Sequence, residues 1–437
     1  GLARCAGGAP WCLAAVAALL PRPAGAVSKP IVQPSRDLLW TFLADAYDIG
    51  LDPLATVTID LYNDHPVNNT YVMVLTHSQW VAWRRVEPTT LPGAAGERAG
   101  GLNSYLVSYW RSGIDDHLQA TFQIKAPTKD RYHIGILNAQ QQALKLHGRL
   151  SWVNPGGEQL SLQERKVPGV LLWTSALFLA SCAAFALVLA GSSRRGRTAM
   201  HFVMASVLLL KGVVLLLWWV DCMQVSRTGS DSVLGNVSWQ LLDKIQTIME
   251  LMMFLLVALG WKFLRPNLNL TEIRFAVGIS VISFYLGIFE VACTTQSTCS
   301  GYQLSRYILH SLCYLVVIVA MNFNLQLIYA QIAEAPASAE SGRLYRKHHA
   351  YKLFRWIFLA FIIAPTVELF LKVTVMPWDA VWLYVLIQQL RTWAIYMCVV
   401  VAFVFLPQPP PLRVFELTRD GGSDDEAEGG MVGTDAE

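Results

Sequence analysis

Between Lys166 and Pro407 the chain alternates long apolar segments with short basic or polar links. The segments are Val167–Gly191, Met200–Met223, Leu241–Leu264, Phe275–Ala292, Leu304–Ala330, Leu353–Val375 and Val381–Leu406. Each is about as long as the ~20 residues a helix needs to cross a bilayer core. The pattern predicts an α-helical seven-transmembrane bundle over residues 166–407. Residues 27–165 have a different texture. Short β-branched or aromatic runs appear at Ala55–Tyr62, Tyr71–Leu75, Ser104–Trp110, Leu118–Lys125, Tyr132–Ile136 and Ala143–Trp152. Turn signals such as Asn63-Asp64-His65-Pro66 and Asn154-Pro155-Gly156-Gly157 separate them, and Pro92–Gly101 reads as a loop. This is the pattern of a small β-sandwich.

The two ends read as neither. In residues 1–26, Arg4 precedes the apolar run Trp11–Leu20 and the small-residue site Ala24-Gly25-Ala26, the layout of a cleaved secretory signal. That reading puts the β-sandwich in the lumen. After the seventh segment Pro407-Gln408-Pro409-Pro410-Pro411 stops the helix, and residues 408–437 turn acidic with Asp420, Asp424, Asp425, Glu426 and Glu428. A tail so poor in apolar residues is expected to be disordered. Ser423 before Asp424-Asp425-Glu426 has the look of an acidophilic-kinase site and an acidic sorting cluster; a plain solvated tail is the blander alternative.

Composition agrees with a membrane protein: of 437 residues 54% are hydrophobic and only 15% charged, with 15 Trp. The net charge of +3 is unevenly spread, and its placement argues against nucleic acid as partner. Arg194, Arg195 and Arg197 follow the first segment; Lys262, Arg265 and Arg274 lie between the third and fourth. Arg343, Arg346, Lys347, Lys352 and Arg355 surround the link between the fifth and sixth. The alternate links carry little beyond Arg227 and Lys372. Positive-inside bias therefore places the C-terminus in the cytosol, in accord with a luminal N-terminus.

This topology gives several short motifs a compartment. Asn68-Asn69-Thr70 is a luminal glycosylation sequon, and Asn236-Val237-Ser238 is luminal but close to a helix end. Asn269-Leu270-Thr271 is cytosolic and so unmodified. All eight cysteines lie outside residues 27–165. Cys293 and Cys299 share a luminal loop, where they are either a disulfide or two free thiols. Cys182, Cys222, Cys313 and Cys398 read as packing residues.

Ionisable groups inside spanning helices are costly and face a cavity or one another. Gln240, Asp243, Thr247 and Glu250 fall three and four apart and form one stripe of the third segment. The second segment carries Lys211 and Asp221, the fourth ends with Glu290, and the sixth has Glu368 and Lys372 just after Pro365. The seventh holds Gln388, Gln389 and Arg391. Two readings stand side by side. Lys211, Asp243, Glu250, Glu290, Glu368 and Arg391 either wall a polar cavity open to the lumen or are interhelical ion pairs that fix packing. Arg391 requires a carboxylate, for which Glu250 and Glu368 are the candidates. Asn322, Asn324 and Gln326 do not share one helical face, so some of them bond backbone or water.

Catalytic signatures are missing: the chain has no His-Glu-x-x-His, no Gly-x-Ser-x-Gly and no P-loop, and His348-His349 is a poor metal site. No enzyme, metal or cofactor is expected. Rhodopsin-type signals are missing as well, since Gly260-Trp261-Lys262 stands where Asp-Arg-Tyr is found and Phe405-Leu406-Pro407 where Asn-Pro-x-x-Tyr is found.

Several local strings do resemble a family. They are Tyr132-His133-Ile134-Gly135-Ile136-Leu137-Asn138, Val153-Asn154-Pro155-Gly156-Gly157-Glu158-Gln159-Leu160 and Met200-His201-Phe202-Val203-Met204-Ala205. Gly260-Trp261-Lys262-Phe263-Leu264-Arg265-Pro266 and Tyr351-Lys352-Leu353-Phe354-Arg355 complete the set. Their order and spacing over residues 35–407 resemble the GOST proteins, seven-transmembrane proteins with a luminal GOLD-like domain, also catalogued as lung seven-transmembrane or rhodopsin-like orphan receptors. Ala139 departs from the resemblance, because relatives often carry a Cys there. The resemblance implies a Golgi or endomembrane location, a role in membrane trafficking and luminal protein cargo bound by the GOLD-like domain. Cytosolic sorting adaptors for the tail and membrane lipids complete the expected partners. An orphan receptor at the plasma membrane, or a channel or lipid-binding protein using the polar cluster, are the alternatives.

Overall fold

The computed structural model describes residues 29–36, 40–42, 47–49, 55–63, 70–86, 106–110, 117–124, 130–138, 144–154, 159–191, 198–229, 232–265, 267–293, 296–334, 339–377 and 379–404. The chain divides into two compact units. The first comprises Gly1–Val170, Trp219–Asn236 and Pro377–Leu383, and the second Leu171–Trp218, Val237–Met376 and Tyr384–Glu437. The expected signal sequence 1–26, the expected glycosylation site Asn68, the expected loop Pro92–Gly101 and the tail residues Ser423, Asp424, Asp425 and Glu426 lie outside the described residues.

The first unit is built on alternation. Along β4 (Ala55–Asn63) Ala55, Val57, Ile59 and Leu61 are buried while Thr56, Thr58 and Asp60 between them are half-buried. β9 (Leu144–Val153) pairs antiparallel with it so that Leu150 stands opposite Ile59 and Trp152 opposite Val57, on the same buried face. β1 (Lys29–Arg36) and β7 (His117–Ile124) flank this pair in the order β1-β9-β4-β7. A second antiparallel sheet runs β2-β8-β5-β6, from β2 (Trp40–Phe42), β8 (Asp130–Asn138), β5 (Thr70–Thr76) and β6 (Leu106–Trp110). β3 (Tyr47–Ile49) pairs with the other end of β8. Here Val72 and Val74 of β5 face Ile136 and Ile134, all four buried. Each such side chain contributes about 1.5–3 kcal/mol when fully buried. This core holds without a cysteine.

A short helix, α1 (His77–Val86), follows β5 with no loop between them. Thr76 starts it: its Oγ1 accepts the Gln79 N–H at 3.2 Å, and Gln79 Oε1 accepts the Thr76 N–H at 2.9 Å. That reciprocal pair is a capping box. His77 of α1 bonds ring to ring with His133 of β8 at 3.0 Å.

Seven long helices follow: α2 (Val167–Gly191), α3 (Ala199–Thr228), α4 (Val233–Ala258), α5 (Leu270–Ala292), α6 (Gln296–Glu334), α7 (Ala339–Thr374) and α8 (Val381–Val404). Six of them, all but α4, are long and apolar enough to cross a membrane. α4 is 26 residues long and carries Asp243, Lys244 and Glu250. The chain is a multi-pass membrane protein with a helical bundle. In it α6 and α7, at 39 and 36 residues, are about 58 and 54 Å long, well beyond a ~30 Å hydrocarbon core. Lys347, expected beside the link between the fifth and sixth segments, and His348 and His349 therefore stand within α7. Ala339–Lys352 contains no proline and is rich in good helix formers, so α7 continues into its polar extension.

The expected third segment, Leu241–Leu264, also ends early. α4 closes at Ala258 because Gly260 takes φ 77°, with Trp261 N–H donating to Leu256 O at 3.1 Å and Gly260 N–H to Val257 O at 3.0 Å. That is a Schellman stop, and it needs the left-handed residue glycine supplies. The next carbonyls are capped from three elements. Tyr351 of α7 donates its hydroxyl to Val257 O at 3.1 Å, Asn324 of α6 its amide to Ala258 O at 2.7 Å, and Arg265 Nε–H bonds Leu259 O at 3.0 Å. Arg265 also pairs with Glu272 at 2.6 Å, and Glu272 accepts the Asn269 N–H at 3.0 Å, which fixes the start of α5. The Gly260–Arg265 string is therefore a packed turn that joins α4, α5, α6 and α7.

Candidate functional site

The site is a set of charged side chains in the interior of the second unit. On α3, Lys211, Val214, Leu215 and Trp218 share a face, and on α4 so do Trp239, Asp243, Gln246 and Glu250. These faces meet: Trp218 stacks on Trp239 at 5.2 Å, and Lys211 lies 3.8 Å from Asp243. One turn on, Gln246 donates its amide to the Tyr396 hydroxyl of α8 at 2.7 Å. Glu250 lies beside Tyr396 and Gln246, in the field of Lys211 and Arg391. Tyr396 packs edge-on against Phe178 of α2, which fixes its ring.

Arg391 of α8 pairs with Glu368 of α7 at 3.1 Å, the two side chains being 20% and 8% exposed. Of the two carboxylates expected to serve Arg391, Glu368 makes the contact and Glu250 stands further off. Arg391 Nη1 is buried without a hydrogen-bond partner among the described residues, as is Gln389 Oε1 nearby on the same helix. Trp393, on the turn after Arg391, donates to Ser181 Oγ of α2 at 2.9 Å.

Glu290 belongs to a second group. It is shared by two cations: Lys244 Nζ at 3.0 Å from α4, and Arg306 Nε at 3.0 Å from α6. His310, one turn along α6, lies 3.3 Å from Ser283 Oγ of α5. Lys244, Arg306 and His310 were not among the expected site residues. Their pairing runs between helices, and spacing along one helix does not reveal it; Lys244 is moreover off the Asp243–Glu250 stripe.

The tally is four cations, Lys211, Lys244, Arg306 and Arg391, against four anions, Asp243, Glu250, Glu290 and Glu368. The cluster is neutral overall, yet the Glu290 group alone carries one positive charge in excess. Counted at 1.5 Å per residue, Glu368 lies about 9 Å and Arg391 about 15 Å from the linked ends of α7 and α8. Along α4 every residue from Leu241 to Glu250 is half-buried except Gln246, and none is exposed. A lipid-facing helix shows an exposed stripe and a packed one a buried stripe. α4 shows neither there.

Cys293, at the end of α5, is disulfide-bonded, and the side chain of Cys299 lies outside the described residues. Cys182, Cys222, Cys313 and Cys398 are free thiols. Among the described residues no group of three or more His, Cys, Asp or Glu is arranged to hold a metal. No protein-family model matches the chain, and no curated protein matches it.

Proposed function

We propose that the chain acts in membrane trafficking at the Golgi, as a seven-span protein with α4 as the seventh helix. Its luminal β unit, resembling a GOLD-like sandwich, captures protein cargo, and its cytosolic acidic tail engages sorting adaptors. The observation that carries this reading is the first unit itself: two antiparallel sheets with their own apolar core of Val57, Ile59, Leu61, Val72, Ile134 and Trp152. A module with its own apolar core, in a chain that also carries membrane-spanning helices, serves recognition. The test is steady-state location of the full chain with a C-terminal tag, against Golgi and plasma-membrane markers. A Golgi pattern that disperses on replacing Asp424, Asp425 and Glu426 by Ala supports the reading. A surface pattern overturns it in favour of a receptor.

A second reading is favoured by the charged side chains that meet in the bundle, four cations against four anions: a polar cavity that takes an ion or a lipid headgroup. It predicts that Glu250→Gln alters conductance or lipid retention in reconstituted vesicles while location is unchanged. Unaltered conductance and lipid content remove that reading.

A further inference from the structure

The inward stripe of α6 runs Val317, Met321, Asn324, Ile328, Gln331, and that of α7 runs Lys347, Tyr351, Phe354, Phe358. Both have the three-and-four spacing of one helical face. From Val317 to Ile328 and from Lys347 to Phe358 these residues are buried. At the same end of the two helices each stripe finishes on a polar donor. Lys347 is only 1% exposed, and its Nζ has no hydrogen-bond or ion-pair partner among the described residues. Gln331 Nε2 and the neighbouring His348 Nδ1 are likewise buried without a partner. A buried ammonium with no anion is among the costlier arrangements a fold can hold, and removing a partner from such a charge typically costs about 3–5 kcal/mol. All the pairs described above are satisfied by a carboxylate. This one is left open.

The sequence beyond α8 is a source of anion. Phe403, next to the last described residue of α8, packs on Tyr351 at 5.6 Å and on Phe354 at 5.7 Å. Tyr351 is one turn from Lys347. The sequence that leaves α8 there continues to Glu416, Asp420, Asp424, Asp425, Glu426 and Glu428. The eleven residues between Val404 and Glu416 reach up to about 40 Å when extended, and Lys347 lies only about two turns from where they start. Tethering raises the local concentration of those carboxylates to the millimolar range.

We propose that Lys347 and Gln331 form an oxyanion-binding site at this end of the bundle, and that its occupant is a carboxylate of the chain's own segment 416–428. The site rests on the fold alone and holds whichever reading of function is right.

The test uses the full chain purified in detergent. Zero-length carbodiimide coupling, followed by peptide mass spectrometry, is expected to join Lys347 to an acid within 416–428, and Lys347→Arg is expected to lose that link. A thermal cycle then separates pairing from proximity. Neutralising Glu416, Asp420, Asp424, Asp425, Glu426 and Glu428 to their amides is expected to lower the midpoint by about 3 °C. In Lys347→Met, an apolar replacement of similar length, the same neutralisation is expected to shift nothing. An equal shift in both backgrounds, or none in either, overturns the proposal. Millimolar inorganic phosphate that raises the midpoint of the wild-type chain irrespective of its tail charges, and not of Lys347→Met, overturns the assignment of the occupant to the tail.

Discussion

Asn324 of α6 donates its side-chain amide to the carbonyl of Ala258, the last residue of α4, at 2.7 Å. Asn324 is 5% exposed and Gln326, two residues on, is exposed, so the stretch Asn322–Gln326 splits as its helical phase requires. Asn324→Leu leaves that buried carbonyl without its donor and is expected to cost about 1–3 kcal/mol. Thermal unfolding in detergent measures it, with Gln326→Ala as a control expected within about 0.5 kcal/mol of the parent.

Arg391→Met strands Glu368, and Glu368→Gln strands Arg391. Each single change is expected to destabilise by about 3–5 kcal/mol, whereas the pair of changes together costs less than their sum, because only a lone buried charge is unpaired. Full additivity in the double variant shows that the 3.1 Å pair carries no coupling.

Gly260→Ala is expected to lose about 1–2 kcal/mol, since the new Cβ enters a left-handed conformation and lands 2.9 Å from the Leu264 side chain. Lys262 shares the turn with φ 61° but has a side chain already. Lys262→Gly is therefore expected to be neutral or slightly stabilising, and a loss equal to that of Gly260→Ala contradicts this account of the turn.

Gly212 lets α3 approach α2. An added Cβ would sit 2.7 Å from Leu179, and Ser175 Oγ of α2 donates to the Gly212 carbonyl at 2.8 Å. Small residues at such crossings let backbones pack closely in a bilayer. Gly212→Val is expected to push the helices apart and lower the yield of monodisperse protein, while Gly278→Val, with nothing within 4 Å, is expected to be tolerated.

Much of the architecture is legible in the sequence because periodicity reports burial directly. The runs Ala55–Tyr62 and Tyr71–Leu75 match β4 and β5 to within a residue at each end. β1 was hidden by Pro30 and Pro34, which fit only an edge strand, and an edge is where it lies. α1 was hidden by its brevity, although Thr76 and Gln79 spelled out its capping box. In the bundle, a stripe on one helix pointed to Asp243 and Glu250. The partners Lys244, Arg306 and Tyr396 come from register between helices, which no single helix encodes. Lys347 was concealed by its neighbours: a lysine among Arg346, His348 and His349 reads as solvated, and only the phase of α7 turns it inward.

Pro365 sits inside α7, eighteen residues from Lys347. With no N–H to give, it leaves one rung of the helical ladder open and is the natural fulcrum of that rod. The arm beyond it is about 27 Å long. A 10° bend at Pro365 therefore swings the Lys347 end through about 5 Å, close to the pitch of a helical turn. Glu368 lies three residues to the other side of the proline, locked to Arg391. The ion pair grips the short end of a lever whose long end carries the unpaired lysine, so a sub-ångström adjustment in the polar cluster is delivered several-fold magnified at the far end of the bundle.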